Sequence, residues 1–136
     1  MGLPLALWSF AAGAVWGGIA YALGAGAIGP PIWAGILASP FIGLVVGLLI
    51  QPRFVASSGV WRVVWALVGL YLGAVLFGIA IGVADEISRQ SADHVAGAAL
   101  IEAVLAVLWG VTVTGFVLVL APLAYLTHWF LEWRLE

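Results

Sequence analysis

The first 52 residues contain no Asp, Glu, Lys or Arg, and Arg53 is the first charged side chain. A run of that length has almost nothing to place against water. An apolar helix that crosses a bilayer takes roughly 20 residues, so residues 1–51 are too long for one crossing and suit two. The break is written as GAIGPP, residues 26–31. Proline has no N–H and disfavours helical backbone in the residue before it, so Pro30–Pro31 ends one helix and can start the next. Helix 1 is therefore expected over about 3–27 and helix 2 over about 32–50. No positively charged stretch precedes the first apolar run, which is read as a retained membrane helix and not a cleaved signal.

The rest of the chain has the same character. It is 65% hydrophobic and 7% charged, against about 25% charged in a soluble domain. A polar loop, QPRFVASSGVWR at 51–62, leads to helix 3 over about 61–84. The segment DEISRQSADH, 85–94, is the longest polar stretch, and Ser91 is a candidate N-cap for helix 4 over about 95–121. Membrane strands alternate apolar and polar residues, and these runs do not. The expectation is a single-domain, all-α integral membrane protein. Its four transmembrane helices form an up-down-up-down bundle, and the C-terminal end, 122–136, is an interfacial amphipathic helix. In that end Leu126, Trp129, Phe130 and Trp133 form the apolar face, and His128, Glu132 and Glu136 the polar one.

Cytoplasmic loops favour Arg and Lys. The 51–62 loop carries Arg53 and Arg62, whereas 85–94 carries one arginine among three acids. This places 51–62 inside and both termini in the cytoplasm, with the plasma membrane as the expected location. Trp8, Trp61, Trp65, Trp129 and Trp133 then lie near the inner face, where indole rings prefer to sit. Trp16 and Trp109 fall in mid-span and are read as packing residues.

Small residues recur every four positions on each helix, which marks one face. These are Ala14, Gly18, Ala22 and Gly26 on helix 1, beside Gly13 and Gly17. On helix 2 they are Gly35, Ser39, Gly43 and Gly47. On helix 3 they are Ala74, Gly78 and Gly82, with Gly69 and Gly73. On helix 4 they are Ala98, Ala106, Gly110 and Thr114, with Glu102 in the same row. Helix contacts in lipid favour small residues, so Gly18, Gly35, Gly43, Gly47, Gly73, Gly78 and Gly110 are the expected packing positions. The same faces suit self-association or other membrane subunits.

Glu102 is the one charge between Val95 and Leu131. Its place in the small-residue row turns it towards protein. If the span begins at Val95, the carboxylate lies ~10 Å inside; if the membrane begins nearer Glu102, it is a headgroup anchor. Ser39 and Tyr21 match its depth, and Pro40 frees the Ile36 carbonyl beside Ser39. Glu102, Ser39 and Tyr21 are therefore a candidate intramembrane polar or ion site, or else a set of structural hydrogen bonds. An intramembrane ionisable side chain favours the functional reading.

Other chemistry finds little support. Four arginines and no lysine give no patch for nucleic acid. There is no cysteine, and His94 and His128 are expected at opposite surfaces, solvated and too far apart to share a metal. No catalytic or cofactor motif is present, so neither enzyme activity nor a cofactor is expected. The sequence points to a non-catalytic membrane protein, a structural or accessory subunit that packs through Gly/Ala-rich faces into an oligomer or larger complex. The alternative is a small oligomeric transporter or channel for a cation or proton, with Glu102 as its site.

Overall fold

A computed structural model of the chain describes residues 2–24, 32–88, 94–113 and 115–136. The GAIGPP break, Ser91 and Thr114 lie outside them. Five α-helices account for most of the described residues, and there is no strand among these. They are α1 (Gly2–Gly24), α2 (Ile32–Ala56), α3 (Val60–Ser88), α4 (Val95–Leu105) and α5 (Val117–Leu135); a π-helical stretch, Ala106–Val113, continues α4. Four helical stretches are long and apolar enough to cross a membrane: 2–23, 32–56, 60–88 and 95–112.

Three element ends differ from the sequence expectation. Helix 2 does not stop at Ile50 but runs through Pro52 to Ala56. Side chains close its end: Arg53 donates to the Leu49 carbonyl, and Ser57 Oγ donates to the Arg53 carbonyl at 2.7 Å. The loop shrinks to Ser57–Gly59, where Gly59 has φ +56°, a left-handed conformation that glycine adopts without strain. Helix α3 carries Asp85 and Glu86 within its last turns, so the polar segment is partly helical. The fourth helix is not continuous to Ala121. It widens into the π-helical stretch and breaks at Gly115, whose φ of +73° needs a glycine. Pro122 stands inside α5. There its missing N–H leaves only the Leu118 carbonyl short of one partner.

Glycines let the helices approach closely. Along α1 and α2, Ser9 meets Gly47, Gly13 meets Gly43 and Gly17 meets Ser39, an antiparallel register. A Cβ on Gly13 would run into the Ser39 carbonyl and stand 2.8 Å from the Gly43 Cα. The Ile36 carbonyl, freed by Pro40, faces α1 at Gly17. Backbones this near gain dispersion and Cα–H···O contacts. Helix α3 sets Gly78 against the backbone of Glu102 and Ala103, and Gly82 against that of Ala98 and Ala99.

Helix α5 packs against α1 and against the end where α2 stops and α3 begins. Trp8 meets Phe130 edge-on at 5.8 Å, and Phe54 meets Tyr125 at 5.4 Å. Its buried face is Leu120, Ala124, His128 and Leu131, while Leu126, Trp129, Phe130 and Trp133 are exposed. Of the expected polar face only His128 is buried, while Glu132 is half-buried and Glu136 exposed. The physical reason is that His128 and Glu132 find polar partners on α2 and α3, so these two positions turn towards the neighbouring helices and not to water.

Candidate functional site

A cavity of about 480 Å³ lies between the helices, with walls from all five and from the π-helical stretch. Its lining is mostly apolar. The polar exceptions are Ser9 and Trp16 on α1, Ser39 on α2, Glu102 on α4, and Thr127 and His128 on α5. Trp16 Nε1 donates to Thr127 Oγ1 at 3.1 Å, and Thr127 donates to the Leu123 carbonyl at 2.8 Å. Trp16 is therefore a packing residue, as its mid-span place suggests. Trp109, by contrast, is 58% exposed and packs little.

The structure brings two of the three expected site residues to one cavity. Glu102 and Ser39 both line it. Ser39 is buried and its hydroxyl donates to the Gly35 carbonyl at 2.8 Å. Tyr21 is 64% exposed and does not reach the cavity, so it is no part of this site. A residue at matching depth can still point the other way round its helix, and Tyr21 does. The Glu102 carboxylate is half-buried and makes no hydrogen bond or ion pair with another described residue. Four residues on, the chain enters the π-helical stretch, from which Ala106, Gly110 and Val111 also line the cavity. Wide π turns are uncommon and recur at functional sites.

The expected packing glycines divide. A Cβ on Gly35 would stand 2.7 Å from the Phe77 ring, and Gly43, Gly47 and Gly78 meet neighbouring helices as closely. Gly73 and Gly110 line the cavity. Gly18 faces outward with nothing near it, and its row-mates Ala14 and Ala22 are exposed too. The face of α1 that meets α2 is instead Ser9, Gly13 and Gly17, one position round the helix.

A second polar cluster was not visible in the sequence. His128 is only 4% exposed. Its Nδ1 lies 2.7 Å from Gln51 Oε1, and Gln51 Nε2 donates to the His128 carbonyl at 3.0 Å. The ring stacks on Phe54 at 5.3 Å. One turn on, Glu132 accepts two hydrogen bonds from Arg62, each 2.8 Å, and Arg62 lies over the Phe54 ring. His128, expected to be solvated, is therefore corrected to a buried, partnered residue. His94 is exposed at the start of α4. The only signal for the cluster was Gln51, a polar residue at the edge of a long apolar run.

The fold and site define a class: an all-helical protein, with four helices long enough to cross a membrane and, between them, a half-open apolar cavity that has one carboxylate of a described residue on its wall. Comparison with known proteins takes this no further, since no family model, curated protein or solved structure matches the chain.

Proposed function

We propose that this is an integral membrane protein of transport type, which takes a small solute into the cavity between its helices and uses Glu102 as its proton or cation site. The observation that carries the reading is Glu102 itself, a carboxylate without a partner among the described residues, on the wall of a cavity to which every helix contributes. The cavity volume falls within the range of ligand sites, about 300–1,000 Å³. An ionisable side chain kept in an apolar span without a structural partner is a cost that function explains. The proposed role is binding and not chemistry, because the Ser9 hydroxyl makes no hydrogen bond to His128.

The distribution of charge supports the orientation. Arg53 ends α2, Arg62 begins α3, and Arg134 stacks on Trp8 of α1, so three arginines gather at one end. Asp85 and Glu86 lie towards the other end of α3. The arginine end is proposed to face the cytoplasm, in a plasma-membrane bundle.

Thiol accessibility tests the reading, because the chain has no native cysteine. In liposomes, Glu102→Cys and Ser39→Cys are expected to react with a small polar thiol reagent. A lipid-facing control, Leu37→Cys, is not. Failure of both cavity positions to label refutes a solute-accessible cavity.

A docking subunit is the second reading, favoured by the outward row Ala14, Gly18 and Ala22 on α1. Gly18→Leu should then break an assembly in mild detergent without unfolding the chain. Gly43→Leu and Gly47→Leu would not test it, since both face the interior of the fold.

A further inference from the structure

Glu102 has no counter-charge on the cavity wall. None of Arg53, Arg62 and Arg134 lines it. Arg62 is committed to Glu132, and it stands 16 positions from Gly78, the residue that packs on Glu102, or ~24 Å along α3. A charge taken out of water is costly unless it is paired, so a cationic ligand would supply the pair that the chain does not. The same wall is poorly made for a metal ion. Hard cations such as Ca²⁺ take about 6–8 oxygen ligands, and no group of three metal-ligating side chains occurs among the described residues. The hydroxyls on the wall are engaged within the protein. Ser39 donates to the Gly35 carbonyl, Thr127 accepts from Trp16 and donates to the Leu123 carbonyl, and Ser9 is shut against Gly47. What the cavity offers is room and rings. It holds about 480 Å³, and Trp16, Phe77 and Phe116 line it. Phe77 immediately precedes Gly78, which places an aromatic residue at the level of Glu102. Aromatic faces attract organic cations.

We infer that the cavity's solute is a lipophilic organic monocation, a quaternary ammonium or phosphonium whose charge pairs with Glu102 and whose apolar substituents fill the cavity. This rests on the proposal that the cavity takes up a solute, and it names the class of that solute. One carboxylate matches one positive charge. A dication would carry a second charge onto an apolar wall, and an anion would meet Glu102 with like charge, which disfavours binding. A quaternary centre also has no N–H to satisfy, unlike a primary ammonium with its three donors. That suits a wall whose hydroxyls are already engaged. Away from Glu102, Ile19, Leu70 and Ile81 offer apolar surface to alkyl or aryl substituents.

The test is retention of tritiated tetraphenylphosphonium by the full chain in nanodiscs, with empty discs as blank. Retention above the blank is expected, and an excess of neutral triphenylphosphine oxide should not displace it. Glu102→Gln keeps the shape of the side chain and removes its charge, so retention should weaken about tenfold or more. Glu102→Asp keeps the charge and should recover most of it. Radioactive rubidium and calcium should not be retained by the native chain. No retention above the blank, equal retention by Glu102→Gln, no recovery in Glu102→Asp, displacement by the oxide, or retention of rubidium or calcium that depends on Glu102 each overturns the inference. If it fails while Glu102→Cys and Ser39→Cys still react with the polar thiol reagent, the lipophilic cation is refuted and the accessible cavity stands.

Discussion

Glu102 and His128 line one cavity and are held in opposite ways. Around His128 nearly every polar group is tied. Gln51 bonds both its ring and its carbonyl, Phe54 stacks on it, and Arg62 clasps Glu132 one turn away. These bonds join α2 and α3 to α5, elements far apart in sequence. Around Glu102 no described residue is tied to the carboxylate, and Ser39, on the same cavity, bonds only its own helix. The difference separates two uses of a polar residue in an apolar protein. One knits helices together. The other stabilises nothing in the fold and is available to the cavity. Perturbing each in turn should therefore change stability at one end and leave it at the other.

Acid should produce the largest effect. Helix α5 is outside the four apolar spans, and burial pushes the His128 pKa down to about 4. The unfolded chain holds this histidine near ~6.5. The fold thus favours the neutral ring, and between those values the unfolded chain binds more protons. Stability is full above pH 7, falls as pH drops through that window, and loses no more from this group below about 4. The loss amounts to about 3 kcal/mol. It can be read as the difference between the native chain and His128→Gln in denaturant unfolding in mixed micelles at pH 7 and pH 4. Parallel pH curves for the two would show that His128 carries none of the dependence.

Removing Gln51 comes next. Gln51→Ala strands the Nδ1–H of the buried His128 ring, at about 2 kcal/mol, while the His128 carbonyl keeps its bond within α5. Ser39→Ala, at the other end, should cost less than ~0.5 kcal/mol, because Ser39 bonds a carbonyl already engaged within its own helix. Equal losses in the two variants would erase the contrast. Breaking the ion pair is smaller still. Arg62→Leu is expected to lower stability by less than Gln51→Ala does, since the pair is partly exposed. Glu132→Gln should do little further in that background, because the two side chains act as one unit.

The helical class and the four apolar stretches could be read from the sequence because length and missing charge are local properties. The uncharged run to Gln51 and the row holding Glu102 needed no knowledge of neighbours. The Gly115 break was harder to see, because Pro122 offers the louder signal while a positive φ leaves only a glycine among 18. The orientation of α5 was not legible for a different reason. Amphipathic patterning assumes that polar residues seek water, but His128 and Glu132 seek Gln51 and Arg62, which stand 77 and 70 positions away. Tyr21 shows the same limit at the candidate site. Depth follows from counting, whereas the direction of a side chain depends on which face of α1 the neighbouring helix takes.

The smallest expected change is at Glu102, and it separates the two explanations of that carboxylate most sharply. A Glu102 that held helices together through Ser39 or Tyr21 would lose about 1–3 kcal/mol when its charge is removed. Here Tyr21 points away and Ser39 is engaged elsewhere, so Glu102→Gln keeps the shape of the side chain and breaks no bond. Its unfolding free energy in mixed micelles should stay within ~0.5 kcal/mol of the native chain. The charge itself would still be gone from the cavity wall, so any proton or cation flux in liposomes should disappear from a protein that remains folded. A drop of more than ~1 kcal/mol would mean that the carboxylate has a structural partner. Glu102 would then belong with His128, and the contrast between the two ends of the cavity would fail.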